Sequence, residues 1–327
     1  MRLDVQPWGA TLAELVDAAR AAEAAGAGVA WTPELHRSAP VVAAAIAAGT
    51  QTIGVGTGIA LAFARSAMLT ALTALDLDEL SGGRFRLGLG TGVARLNQDW
   101  HGADFEKPVP RLRDTVAIIR AVEAGGDPIA HEGVRSIAVR GWRRPYPAAR
   151  PQIPIYLAAV GPAMLRLTAA IADGWISHEL CPPDDLRTRI RPVLTGSRKL
   201  DIVASACCSV DADPAIARRR AANVVGFYAS VRSYADMFGA AGFGPVTTAA
   251  NAALRAGRPA DDLGDLIPDE MVDAYTIAGT PAHCAARITE YDGLADAIKL
   301  SPPSYGLPAD QVREAQKSLL ELVGSRP

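Results

Sequence analysis

The chain has 327 residues, enough for one large α/β domain or two smaller ones and too many for a peptide or small module. Hydrophobic residues make up 49%, charged residues 21% and the net charge is −2, which excludes a disordered chain and offers no basic face to nucleic acid. No signal core and no run of about 18 apolar residues occurs, so no membrane segment is expected and the expected location is the cytoplasm.

Short β-like runs alternate with alanine-rich helical runs from the first residues. Residues 3–7 read as a strand and 11–25 as a helix, with Thr11 as N-cap, Glu14 completing a capping box and Gly26 as the stop. Strands at 28–33, 52–61 and 84–90 lead to helices at 39–49, 66–80 and 110–124. Between Asp127 and Pro151 the rhythm breaks: VRSIAVRG reads as an excursion strand, and Pro145, Pro147 and Pro151 mark a loop. The alternation resumes with strands at 153–160, 175–180 and 200–210 and helices at 162–173 and 184–195. From Asp211 to about Gly279 there are several helical stretches and no strand, the pattern of an insertion. Thr280-Pro281 opens a helix, 297–303 is a last strand, and 308–323 a terminal helix. Eight strands in this rhythm predict a single-domain α/β chain, a (β/α)8 TIM barrel with insertions at about 127–151 and 211–279.

Two glycine rows are the first chemical signal. Gly54, Gly56 and Gly58 share one face of the third strand; Gly88, Gly90 and Gly92 do the same in the fourth. They read either as tight packing against bulky neighbours or as a backbone-lined slot for a planar ring. Neither has the spacing or context of a dinucleotide-binding fingerprint. Ala158-Ala159-Val160-Gly161-Pro162 joins the fifth strand to its helix, where open N–H groups suit an anion. Glu34 and His36 after the second strand, and His178 and Glu179 after the sixth, are polar groups at strand ends, where barrel chemistry resides. His101 and Trp100 overhang the same mouth, whereas His131 and His283 read as peripheral. Cys181, Cys207, Cys208 and Cys284 lack metal or disulfide spacing and read as buried thiols, and Arg218-Arg219-Arg220 as a solvated helix face. Phe227, Tyr228, Tyr234, Met237 and Phe238 in the insertion read either as a substrate lid or as its own core.

LDLDELSGGRFRLGLGTG (75–92), TIGVGTGIALAFAR (52–65), IPIYLAAVGPAMLRLTAAIADGWI (153–176) and GTPAHCAARITEY (279–291) together resemble the luciferase-like monooxygenase superfamily, over most of the chain outside 211–278. The resemblance implies a barrel that binds coenzyme F420 or reduced FMN. It places a non-proline cis peptide at Gly58-Ile59, after Gly56 and Thr57, against the cofactor ring. It assigns Gly90, Thr91 and Gly92 to the cofactor side chain, Ala159, Val160, Gly161 and Pro162 to its phosphate, and His178 to the same site. Sugar-phosphate dehydrogenases of the F420 branch carry an Asp-His pair and a later glutamate; here Glu34-Leu35 stands at the pair, His36 is displaced by one, and Val93 replaces the glutamate. The pattern is closer to F420-dependent reductases similar to methylenetetrahydromethanopterin reductase. The implied activity is hydride transfer between F420 and an organic small molecule, with Glu34 or His36 as proton donor. The alternatives are a two-component FMN monooxygenase, served by a partner reductase that supplies reduced cofactor, and a non-catalytic cofactor-binding protein. The resemblance further implies a homodimer.

Overall fold

The computed structural model describes residues 1–195 and 199–325. β1 (Arg2–Val5) leads to α1 (Leu12–Ala24), whose start is fixed by Thr11: its Oγ1 accepts from the Glu14 N–H at 3.1 Å. Glu14 reaches back to the Ala10 N–H at 3.0 Å, one residue earlier than a capping box requires. The helix stops where Gly26 takes φ +80°, a conformation in which a side chain would be strained. β2 (Val29–Thr32), α2 (Ala39–Gly49), β3 (Gly54–Thr57), the two-residue β4 (Ala60–Leu61), α3 (Ala67–Leu80), β5 (Phe85–Gly90) and α4 (Pro108–Ala124) follow.

The 127–151 excursion is a hairpin, with β6 (Ile129–His131) antiparallel to β7 (Ile137–Val139). The second of these strands was legible; the first is too short to show a period. β8 (Ile155–Ala158), α5 (Pro162–Ile171), β9 (Gly174–Ile176), the short α6 (Pro183–Asp185) and α7 (Arg191–Leu194), and β10 (Asp201–Val210) resume the alternation. The 211–279 insertion holds α8 (Pro214–Ser230), α9 (Ala235–Ala240), α10 (Gly244–Arg255) and α11 (Asp269–Tyr275). It ends in a strand that was not expected, β11 (Ile277–Gly279), parallel to β10 with Ile277 opposite Cys208. α12 (Pro281–Thr289) is capped by Thr280, whose Oγ1 accepts from the His283 N–H at 3.3 Å. β12 (Ala297–Ser301) and α13 (Ala309–Gly324) complete the described chain.

The chain divides into two compact units, one of residues 1–28, 178–188 and 204–327, the other of residues 29–177 and 189–203. In the second unit β2, β3, β5, β8 and β9 pair in parallel in that order, β4 adds to β5, and residues 201–203 of β10 pair with β9. In the first unit β1 pairs in parallel with β12, and β10 with β11. β1, β2, β3, β5, β8, β9, β10 and β12 carry the alternation of the expected (β/α)8 class.

The second unit buries Trp31, Phe85, Leu89, Ile155 and Trp175 almost completely. In the first unit the insertion builds its own core, with Phe238, Met271 and Tyr275 packed against the alanine-rich face of α8. Gly226 allows this approach, since a Cβ there would lie 2.9 Å from the Leu263 backbone. Met237 and Phe238 are therefore core residues, each burial contributing about 2 kcal/mol, whereas Phe227, Tyr228 and Tyr234 stay half-buried. The arginine triplet is not uniformly solvated. Arg220 is buried, with Nη1 donating to Asp211, nine residues before it, at 2.9 Å and Nη2 to the distant Glu314 at 2.6 Å. All four cysteines are buried thiols.

Candidate active site

The glycine rows of the second unit hold side chains of the chain itself. Gly56 lies opposite Trp31 in the β2–β3 register, and a Cβ on it would come within 2.5 Å of the indole. A Cβ on Gly58 would stand 3.0 Å from the Trp31 Cβ, and one on Gly90 would stand 2.8 Å from the Ile59 side chain. A Cβ on Gly88 would collide with the Thr57 carbonyl. The rows thus make room for Trp31 and Ile59, the tight packing against bulky neighbours that was one of the two readings. Thr57 locks the two strands: its Oγ1 donates to the Gly88 carbonyl at 2.7 Å and accepts from the Gly88 N–H at 2.9 Å. The Gly58-Ile59 peptide bond is cis, and both residues are half-buried.

Glu34 stands two residues beyond β2 and is nearly buried. Arg65 donates to it through Nη1 at 2.7 Å and Nη2 at 2.5 Å, the Leu61 N–H at 2.8 Å and the Ala39 N–H at 3.3 Å. Burial pushes its pKa up, but the bonds from Arg65 and Leu61 outweigh burial and hold the carboxyl below its ordinary value. A carboxylate so bound is ionised at neutral pH. The loop carrying Arg65 is braced in turn by Arg135, from between β6 and β7, which donates to the Ala62 carbonyl at 2.8 Å and the Arg65 carbonyl at 2.7 Å. His36, two residues from Glu34, is exposed.

Thr91 and Gly92 follow β5 and are half-buried, with Gly92 at φ +63°. Asn97, fully buried, pins them: its Nδ2 donates to the Thr91 carbonyl at 2.7 Å and the Val93 carbonyl at 3.0 Å, while its buried Oδ1 has no partner among the described residues. After β8, the Ala159 carbonyl accepts from Trp175 Nε1 at 2.9 Å, and Val160, Gly161 and Pro162 are exposed. Gly161 is the N-cap of α5, no side chain caps that helix, and a Cβ on Gly161 would meet nothing within 4 Å. Open N–H groups at a helix start suit an anion. Gly90 adjoins Ile59 and Ala158, and Gly92 adjoins Leu61, whose N–H binds Glu34. The residues singled out on β2, β3, β5 and β8 therefore form one neighbourhood within this unit.

His178 lies in the first unit. Its Nδ1 accepts from the Leu180 N–H at 3.2 Å, which leaves the ring proton on Nε2, and its ring meets Tyr234 edge-on with centroids 5.1 Å apart. Glu179 beside it is buried; Ser301 Oγ donates to Oε1 and the Tyr228 phenol to Oε2 at 3.5 Å. Burial and the Glu179 charge push the Tyr228 phenol well up and the Tyr234 phenol up to about 12. Burial lowers the pKa of Lys299, against the pull of Glu179 and Asp4, and its Nζ donates to Gln6 Oε1 at 3.0 Å. His101, Trp100 and His283 are exposed, and His131 faces Asp114 at 3.1 Å.

The luciferase-like monooxygenase family pattern matches residues 2–297. The chain belongs to that family. This luciferase-like family member is 32% identical over 292 residues to the 5,10-methylenetetrahydromethanopterin reductase of Methanolobus tindarius, covering 83% of this chain and 84% of that one. It is 32% identical over 273 residues to the enzyme of the same name from Archaeoglobus fulgidus, with 79% of each chain covered. It superposes on the coenzyme F420-dependent tetrahydromethanopterin reductase of Methanopyrus kandleri with a TM-score of 0.83 at 22% identity, over 99% of this chain and 98% of that one, which establishes the shared (β/α)8 barrel fold. The luciferase-like chain is thus an oxidoreductase by family. Among its described residues no helix is long and apolar enough to cross a membrane.

Sequence reasoning about this luciferase-like chain missed Arg65, Arg135, Asn97 and Ser301. Arg65 was the last residue of a quoted motif, yet only its 31-residue separation from Glu34, closed by the fold, gives it meaning. Asn97 carried one usable signal, a small amide just after a glycine turn, a common partner for turn carbonyls.

Proposed function

We propose that this chain is a coenzyme F420-dependent oxidoreductase that moves a hydride between the deazaflavin and an organic small molecule. The observation that carries the reading is the character of the strand ends in the second unit. They present glycine, threonine, alanine and valine backbone, while the acid among them, Glu34, is tied to Arg65. Such a rim cradles a cofactor and leaves the reaction to it. The family relatives favour F420, the cofactor named for the Methanopyrus reductase.

The residues fit such a group: Gly161 offers an open approach, and among the described residues no side chain caps the start of α5 and none meets the Asn97 Oδ1. The Gly58-Ile59 peptide and the Ile59 side chain, which lies over Gly90, would meet the ring. Thr91 and Gly92, fixed by Asn97, would hold the side chain, and Ala159 to Pro162 with the first N–H groups of α5 the phosphate. When bound, the deazaflavin supplies the carbon that gives or takes the hydride. Glu34 acts here as an anchor for the Leu61 and Ala39 backbone and the Arg65 guanidinium rather than as a proton donor. His36 is the group at this end of β2 that can carry a proton.

Gly161→Asp tests the assignment, because it sets a carboxylate where the phosphate would sit and its Cβ meets nothing. F420 affinity, read from cofactor fluorescence, is expected to fall at least about tenfold with the melting temperature unchanged. Unchanged affinity would remove the phosphate from this turn.

A further inference from the structure

Cys208 and Cys284 are both fully buried, and both lie in the first unit. Successive side chains of a strand point to opposite faces. Cys207 accordingly joins the core of the insertion with Val225 and Phe238, whereas Cys208 turns the other way, toward α12. The end of β11 delivers its partner. Cys208 stands opposite Ile277 and Val210 opposite Gly279, Thr280 caps α12 directly afterwards, and the first turn of that helix sets Cys284 over β10. There the Cys284 Sγ lies 3.7 Å from the Ser209 carbonyl and 3.5 Å from the Gly279 carbonyl, and the Cys208 thiol donates to the Cys284 sulfur.

That hydrogen bond holds the Cys284 thiol below its ordinary pKa against the effect of burial, while the same bond and burial push the Cys208 thiol well up. Cys284 is therefore the nucleophile of the pair and Cys208 the sulfur that follows it. α12 is held by few side chains: Cys284 and Ile288 are its buried residues, and Pro281, Ala282 and His283 are exposed. Local opening of this nine-residue helix brings Cys284 to solvent with the strands still paired.

We propose that Cys208 and Cys284 form a redox site, joined by peroxide into a disulfide that closes the chain around the helical insertion. The Cys284 thiolate attacks one oxygen of hydrogen peroxide; an S–O bond forms, the O–O bond breaks, and the departing hydroxide takes the thiol proton as water. The Cys208 sulfur then attacks the Cys284 sulfur; the S–S bond forms, the S–O bond breaks, and the oxygen leaves with the Cys208 proton as a second water. Two thiols thus give up two electrons and two hydrogens, and one peroxide becomes two waters. The loop so closed contains the 75 residues from Ser209 to the helix position before Cys284, and with them α8, α9, α10, α11 and β11. A cross-link over so long a loop removes freedom from the unfolded chain and stabilises the folded one. The site is independent of the cofactor reading, since neither F420 nor substrate takes part.

Peptide mapping of folded wild-type protein after hydrogen peroxide, quenched with acid and alkylated in denaturant, tests this. The expected result is loss of two of the four thiols and a cross-linked Cys208–Cys284 peptide that dithiothreitol separates. The melting midpoint should rise by about 5 °C or more and fall back on reduction. Cys207→Ala should keep the cross-link and Cys284→Ser abolish it; the mapping on wild type decides the matter even if a variant fails to fold. Four thiols retained, sulfinic acid without a cross-link, or a bond to Cys207 or Cys181 instead would overturn the proposal, as would a cross-link that leaves the midpoint unchanged.

Discussion

Glu34 shows what a single residue's position in a sequence conveys and what it hides. Its place after a strand marked it as a group at the strand ends, and it is one. Its setting depends on Arg65, whose guanidinium favours the ionised carboxylate. Because its folded pKa lies below its unfolded value, the stabilisation from this pair is complete above the unfolded carboxylate value, about 4.3, and is lost as pH falls through the lower folded value. Glu34→Gln strips Arg65 of its countercharge and should cost about 3 kcal/mol at neutral pH in urea unfolding. The variant's stability should also decline less steeply than wild type as the solution is acidified below about pH 4.5. Equal stability of the two proteins at pH 7 would show that the pair is not structural. Asn97→Leu should leave the Thr91 and Val93 carbonyls without its amide, at a cost of about 2 kcal/mol by the same measurement.

At the scale of elements, alternation of apolar runs with alanine-rich helices was enough to place the eight main strands and most helices. β6 and β11, of three residues each, were not visible, since pairing rather than pattern defines so short a strand. The glycine rows were legible as close approach but not as to what approaches. That partner is Trp31 for Gly56, so Gly56→Ala should destabilise the protein by about 1–3 kcal/mol through overpacking. A variant as stable as wild type would mean that the indole yields freely. The excursion hairpin looked like an interruption and proves to be a support. Arg135→Ala leaves the Ala62 and Arg65 carbonyls without their guanidinium donor, and hydrogen exchange should quicken across residues 61–66. Exchange confined to the hairpin itself would argue against that brace.

For the whole molecule, composition and rhythm pointed to a large α/β chain whose own side chains bring little reactive chemistry, and family membership agrees with that. The insertion was legible as helical, but its division of labour was not. Phe238 and Met271 fill its core, while Tyr228 and Tyr234 stand near Glu179. Periodicity places residues on a helix face without saying what that face meets. The choice of cofactor rests on the strand ends of the second unit and on the relatives. The most direct measurement is an anaerobic titration of the purified protein with F420 and, separately, with reduced FMN, followed by calorimetry. The account predicts saturable binding of one F420 per chain, with FMN binding far weaker; tight binding of reduced FMN with none of F420 would contradict it.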